Sequence, residues 1–126
     1  MGGGGDLSGA PISRRRVARA RAAVEVARNL IALEAEDAFL QWEDYSRQAA
    51  EAREAAETGD QLASDLNKDY TARLKVKVDD VINAFVLASQ ARSQYNEALY
   101  RQILALAELE RVTAGGFCAR LTEAAR

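Results

Sequence analysis

The sequence predicts an all-α fold, a long antiparallel α-helical hairpin of the coiled-coil type with a short C-terminal helix. Three observations lead there. Apolar residues recur in unbroken steps of three and four along two long segments, the spacing of a helical seam. Helix breakers are almost absent: the one proline is Pro11, and past the N-terminal tail the glycines are Gly59, Gly115 and Gly116. Alanine dominates the apolar residues while aromatics make up 6% of the chain, which suits helices packed closely along their length better than a globular core of large side chains.

Residues 1–11 are rich in glycine and are expected to be a flexible segment. Pro11 suits a first helical turn and Ser13 a cap, so the first helix is placed over about 12–72. Its seam reads Ala35, Ala38, Trp42, Tyr45, Ala49, Ala52, Ala56, Gly59, Ala63, Leu66 and Tyr70. Upstream, Val17, Ala20, Val24, Ala27 and Ile31 keep the rhythm on a neighbouring phase, and charged residues such as Glu43, Arg47, Glu51 and Glu54 take the other faces.

The seam loses phase over 73–78, where Val76 and Val78 alternate with Lys75 and Lys77, so this segment reads as an extended turn. The second helix is placed over about 79–114, with Val81, Ala84, Ala88, Ala91, Tyr95, Ala98, Gln102, Ala105, Leu109 and Val112 as its seam. Asp79 and Asp80 fit a helix start, where a carboxylate caps free N–H groups and meets the positive dipole end. Gly115 and Gly116 supply a stop, leaving 115–126 as a tail or short helix. Two helices joined by so short a link must run antiparallel.

The hairpin is unequal, and the N-terminal third of its first arm has no partner helix in the chain. Phe85, Leu99, Ile103 and Leu106 also form a stripe off the alanine seam. Both features require further helices, from other subunits or from more of a longer chain.

The composition removes several classes of function. A net charge of −2 gives no overall attraction to nucleic acid. The cluster Arg14, Arg15, Arg16, Arg19 and Arg21 has no aromatic interleaving and reads as a solvated helix end. Histidine is absent, so the carboxylates Glu34, Glu36 and Asp37 lack the partner a di-metal bundle needs, and Cys118 lacks an activating base. The glycine run has no following Lys-Ser/Thr to cradle phosphate. No enzyme, metal or cofactor is therefore expected. Charges interrupt every apolar run, and Arg21, Glu25 and Arg28 follow the twin-arginine-like SRRRVAR where a signal would be apolar. Gly2 has Asp6 where a myristoylation site has Ser or Thr. The chain carries no targeting signal, and a role outside the cytoplasm would make it part of something longer.

Residues 69–116 carry a more specific pattern: Tyr70, a turn, Asp80-Val81-Ile82, the alanine-rich helix from Ala84 with Tyr95 or Tyr100 late in it, and Leu109 followed by Gly115. This stretch is similar to the closing half of a repeat in outer-membrane efflux proteins of the TolC family. The arm over 14–68 matches in length and texture, so the chain resembles one coiled-coil hairpin of the second repeat. Two departures stand out: Arg73 occupies the position where the family carries glycine three residues after the tyrosine, and the turn is one residue longer. Nothing in the sequence reads as the family's barrel strands.

The resemblance implies a helical tunnel segment of an outer-membrane efflux or secretion channel. Its parent would be a homotrimer held in the outer membrane by the missing barrel, with its helices in the periplasm. Substrate would arrive from an inner-membrane pump through a periplasmic adaptor and pass without chemistry. By the same resemblance Asp80 is a constriction carboxylate, Tyr70 and Lys75 form a latch, and Arg73, Leu74, Lys75, Val76 and Lys77 meet the adaptor. Asn83 stands at the family's second aspartate position. Residue by residue, Tyr70 equally continues the seam and Asp80 equally serves a helix start. A soluble coiled-coil module that binds a partner helix is the alternative reading of the whole chain.

Overall fold

The computed structural model describes the backbone of residues 6–125 and the side chains of 12–120 and 122–125. Three helices account for it: α1, Asp6–Thr71; α2, Val78–Val112; and α3, Gly116–Ala124. No strand occurs among the described residues. The first five residues of the glycine-rich segment lie outside the described residues. Helix α1 opens at Asp6, ahead of the expected start. The chain divides into two units, Met1–Asp37 and Ala38–Arg126.

The second unit holds the antiparallel hairpin. Every seam residue from Ala38 to Leu66 on α1, and from Val81 to Val112 on α2, is buried or half-buried. Ala63 packs with Ala84 and Ala88, and Leu66 lies against them. A Cβ added to Gly59 would sit 3.3 Å from the Cα of Ala88 and 3.8 Å from the Cβ of Ala91. Further along, Gln102 donates to the Ser46 hydroxyl at 3.2 Å. Residue numbers fall on one helix as they rise on the other across these contacts, the signature of antiparallel packing. Close approach of two backbones gathers many weak dispersion contacts, which replaces the bulk that larger side chains would bury.

Polar contacts pin the register of this seam. Arg92 Nε donates to Asp60 at 2.8 Å and its guanidinium forms an ion pair with the same carboxylate at 2.7 Å. Most other ion pairs lie along one helix: Asp44 with Arg47, Arg53 with Glu57, Glu97 with Arg101, and Glu108 with Arg111. Each of these exposed pairs contributes a few tenths of a kcal/mol.

Helix α2 ends in a reversal, and α3 folds back from it. Phe117 stands edge-on to Trp42 at 5.1 Å and to Phe39 at 6.0 Å between ring centroids. The Glu110 side chain accepts the Cys118 backbone N–H at 2.7 Å, so an acid of α2 satisfies a free donor in the first turn of α3. The same carboxylate raises the Cys118 thiol above its ordinary pKa, first through a hydrogen bond, then with desolvation and repulsion of the thiolate.

In the first unit every described side chain from 12 to 37 is exposed except the half-buried Ala35. Val17, Val24 and Ile31 are 50–57% exposed, so the apolar rhythm of this segment has no partner within the unit.

Two outcomes follow from this packing. Ala88 is fully buried, so Ala88→Leu overpacks the seam and should lower stability by about 1–3 kcal/mol in urea unfolding. Glu97→Ala, on an exposed face, should stay within about 0.5 kcal/mol. Equal losses would mean that the seam lies elsewhere. At Cys118 the raised pKa reduces the thiolate fraction at mildly alkaline pH, so alkylation is slowed. Glu110→Gln should speed alkylation several-fold below pH 9, and an unchanged rate would remove the thiol–carboxylate contact.

Candidate functional site

The residues singled out at the turn all lie at the closed end of the hairpin. Helix α1 stops at Thr71 and α2 begins at Val78, leaving a six-residue link over 72–77, one residue earlier than the sequence pattern places it. The stop is built from backbone. Leu74 N–H donates to the Asp69 carbonyl at 3.0 Å and Arg73 N–H to the Tyr70 carbonyl at 3.1 Å. This pair of bonds requires a left-handed residue between helix and link, and Arg73 takes it with φ 57°. Arg73 is the residue that stands where the resembled family carries glycine, so the backbone here has the conformation that glycine serves.

Beyond Arg73 the link tightens again, with Val76 N–H donating to the Leu74 carbonyl at 2.7 Å. Val76 is half-buried, whereas Leu74 is 58% exposed and Arg73, Lys75 and Lys77 are exposed. The apex therefore presents three cations and one large apolar side chain, with no acid between 72 and 77.

Lys77 is the N-cap of α2, with extended backbone and no side-chain cap bond. Asp79 and Asp80 thus fall inside the first turn, and the capping role expected of them is not the one they play. Their helix begins one residue sooner, so they meet the dipole as first-turn acids. Asp80 N–H donates to the Lys77 carbonyl at 3.1 Å, and its side chain is exposed. Tyr70 ends the α1 seam at 44% exposure, in contrast to the covered seam residues before it. Asn83 is exposed on α2.

The structure brings Tyr70, Lys75 and Asp80 to one end of the unit but joins none of them through a side-chain hydrogen bond or ion pair. A latch or constriction assembled from several copies would leave no such bond within one chain. Among the described residues there is also no group of acids or cysteines placed to hold a metal ion.

Sequence reasoning missed the second left-handed residue, Ala114, with φ 52°, which ends α2 by the same pair of bonds as Arg73 ends α1. Gly115 follows at φ 79°, so the expected glycine stop acts one position late. It also missed the Phe39–Trp42–Phe117 cluster. Phe39 and Trp42 lie one helical turn apart, a pairing the local spacing could have shown, whereas Phe117 is distant in sequence and nothing local points to it.

Left-handed backbone costs a side-chain-bearing residue about 1 kcal/mol relative to glycine. Ala114→Gly should therefore raise stability by about 1 kcal/mol in thermal or urea unfolding. Arg73→Gly should gain less, because a cation near a helix C-terminus contributes about 0.3–1 kcal/mol that glycine forfeits. A larger gain at Arg73 than at Ala114 would show that its charge contributes nothing.

Comparison with known proteins places the chain beside none of them: no family model, no curated protein and no solved structure matches it.

Proposed function

We propose that the chain is a wall element of a larger helical assembly, and that the assembly is the tunnel of an outer-membrane efflux or secretion duct. The observation that carries this reading is the tip backbone. Arg73 is left-handed three residues after Tyr70, at the position where proteins of the TolC family carry glycine, so this departure from the resemblance falls on a backbone of the matching kind. Two of the four off-seam residues support the need for neighbours, Phe85 and Ile103 being 46% and 62% exposed, while Leu99 and Leu106 are half-buried.

In this reading the function is passive conduction and the chain performs no covalent step. The parent would be a trimer with its barrel in the outer membrane and its helices in the periplasm. No helix among the described residues is long and apolar enough to cross a membrane, a fact that says nothing of a barrel. The tip, Arg73, Leu74, Lys75, Val76 and Lys77, would meet a periplasmic adaptor that hands over substrate from an inner-membrane pump. Asp80 from each copy would ring the opening, with Tyr70 and Lys75 holding neighbouring copies together. A ring of carboxylates favours cations and repels anions.

A second reading, a soluble coiled-coil module, draws on a different observation. Residues 12–37 keep an apolar stripe of their own with oppositely charged ends.

The duct reading is tested at Asp80 in the full-length parent, reconstituted in a planar bilayer. Asp80→Asn keeps the size of the side chain and deletes its charge. Cation selectivity should fall several-fold and block by multivalent cations should weaken. Unchanged selectivity and block would leave Asp80 as a first-turn acid only.

A further inference from the structure

Helix α3 is nine residues long, short of the about 12–15 that a helix needs to persist on its own in water. It therefore lasts only while something docks it. Among its described side chains Phe117 is the one that is covered, and the rest from 118 to 124 are exposed. The Phe117 ring stands edge-on to Trp42 and Phe39, and the Cys118 N–H donates to the Glu110 carboxylate at 2.7 Å. The turn that leads into α3 holds two left-handed residues in succession, Ala114 and Gly115. Ala114 bears the strain of that turn, while Gly115 and Gly116 rotate without penalty once it is released. The hairpin seam is closed far more firmly, with Ala88 and Leu109 at 0% and 1% exposure.

We propose that α3 is a strap that opens as a unit while the hairpin stays closed, and that its opening bares Phe39 and Trp42 at the hairpin's open end. Opening gives up the ring contacts of Phe117 and the Glu110 hydrogen bond. In return the chain regains the backbone freedom of a short helix and relieves Ala114. Parting the hairpin instead requires the whole seam from Ala38 to Val112 to come apart. The two openings are therefore well separated in free energy, as expected where a chain end is held by few buried contacts. Trp42 belongs to the α1 seam, and Phe117 lies on it from the far end of α2, so the strap spans the mouth of the hairpin. Phe39 is 39% exposed even with α3 docked. Large aromatics at a surface are strong anchors for another helix. Docked, α3 withholds this pair of rings; released, it offers them. The device goes beyond both readings of the function and holds under either.

Amide hydrogen exchange on the full chain reads opening segment by segment, and Trp42, the one tryptophan, reports its own cover by fluorescence. Amides over 120–124 should be protected relative to an unstructured peptide, yet exchange about a hundredfold faster than those over 84–109. Phe117→Ala should bring 120–124 to the rate of an unstructured peptide and shift Trp42 emission to the red, while 84–109 stays protected. Phe117→Tyr, which keeps the ring, should leave both readouts close to those of the unaltered chain. Equal exchange over the two segments, or loss of protection from both in Phe117→Ala, would show that α3 opens only with the hairpin and is no strap. Protection over 120–124 that survives Phe117→Ala would remove Phe117 as its fastening. Amides over 120–124 unprotected in the unaltered chain, with Trp42 emission indifferent to Phe117→Ala, would show that α3 does not cover these rings, and the proposal would fail.

Discussion

The approach of two backbones along the alanine seam is the constraint on which the rest of this structure depends. Where Gly59 faces Ala88, there is barely room for a methyl group. A seam so narrow takes alanine along most of its length, and among the described residues the buried side chains are alanines except Val81 and Leu109 near its two ends. The bulky apolar residues are displaced to the outer faces, where Ile82, Phe85 and Ile103 remain exposed. The same steric condition that lets the hairpin close therefore leaves it with apolar surface to cover. The exposed apolar surface follows from how the fold is held together.

An alanine seam has a second consequence. Its residues repeat with little variation, so sliding one helix along the other by a heptad exchanges like for like and costs little packing. Register has to come from residues that do not repeat. Gly59 opposite Ala88, the Arg92–Asp60 pair and the Gln102–Ser46 hydrogen bond each occur once along the interface. At the open end the Trp42 and Phe117 rings add a contact available in one register only. Exposed ion pairs stabilise little, and specificity is the larger contribution of Arg92 and Asp60 here.

The two helices and their inward faces were legible in the sequence because a period of three and four over many turns leaves few other readings. From Ala38 to Val112 the seam residues are covered as the spacing implies, except Tyr70 at the tip. The helix ends were less legible. Arg73 and Ala114 take left-handed backbone without the glycine that would announce it, because hydrogen bonds from the next residues hold them there. The docking of α3 was illegible for another reason: it rests on Phe117 and Glu110 meeting residues that only the folded hairpin brings near. For the candidate site, the sequence placed Tyr70, Lys75 and Asp80 near one turn, and the structure places them at one tip. Their roles were carried by the resemblance alone.

The two helix ends that share one geometry differ in chemistry. At Ala114 the left-handed strain has no charge to offset it, and glycines follow at once. At Arg73 the strained residue is a cation beside the negative end of the α1 dipole, with Lys68 in the last turn and Lys75 and Lys77 in the link. Attraction to the dipole is of the same order as the strain, so arginine is close to neutral for stability at this point. Glycine would be simpler and no less stable. What arginine adds is a third exposed cation on a six-residue apex without acids. The neighbouring first-turn acids, Asp79 and Asp80, lie just behind it on α2. The tip thus presents basic residues at its apex and acidic residues at the start of the returning helix.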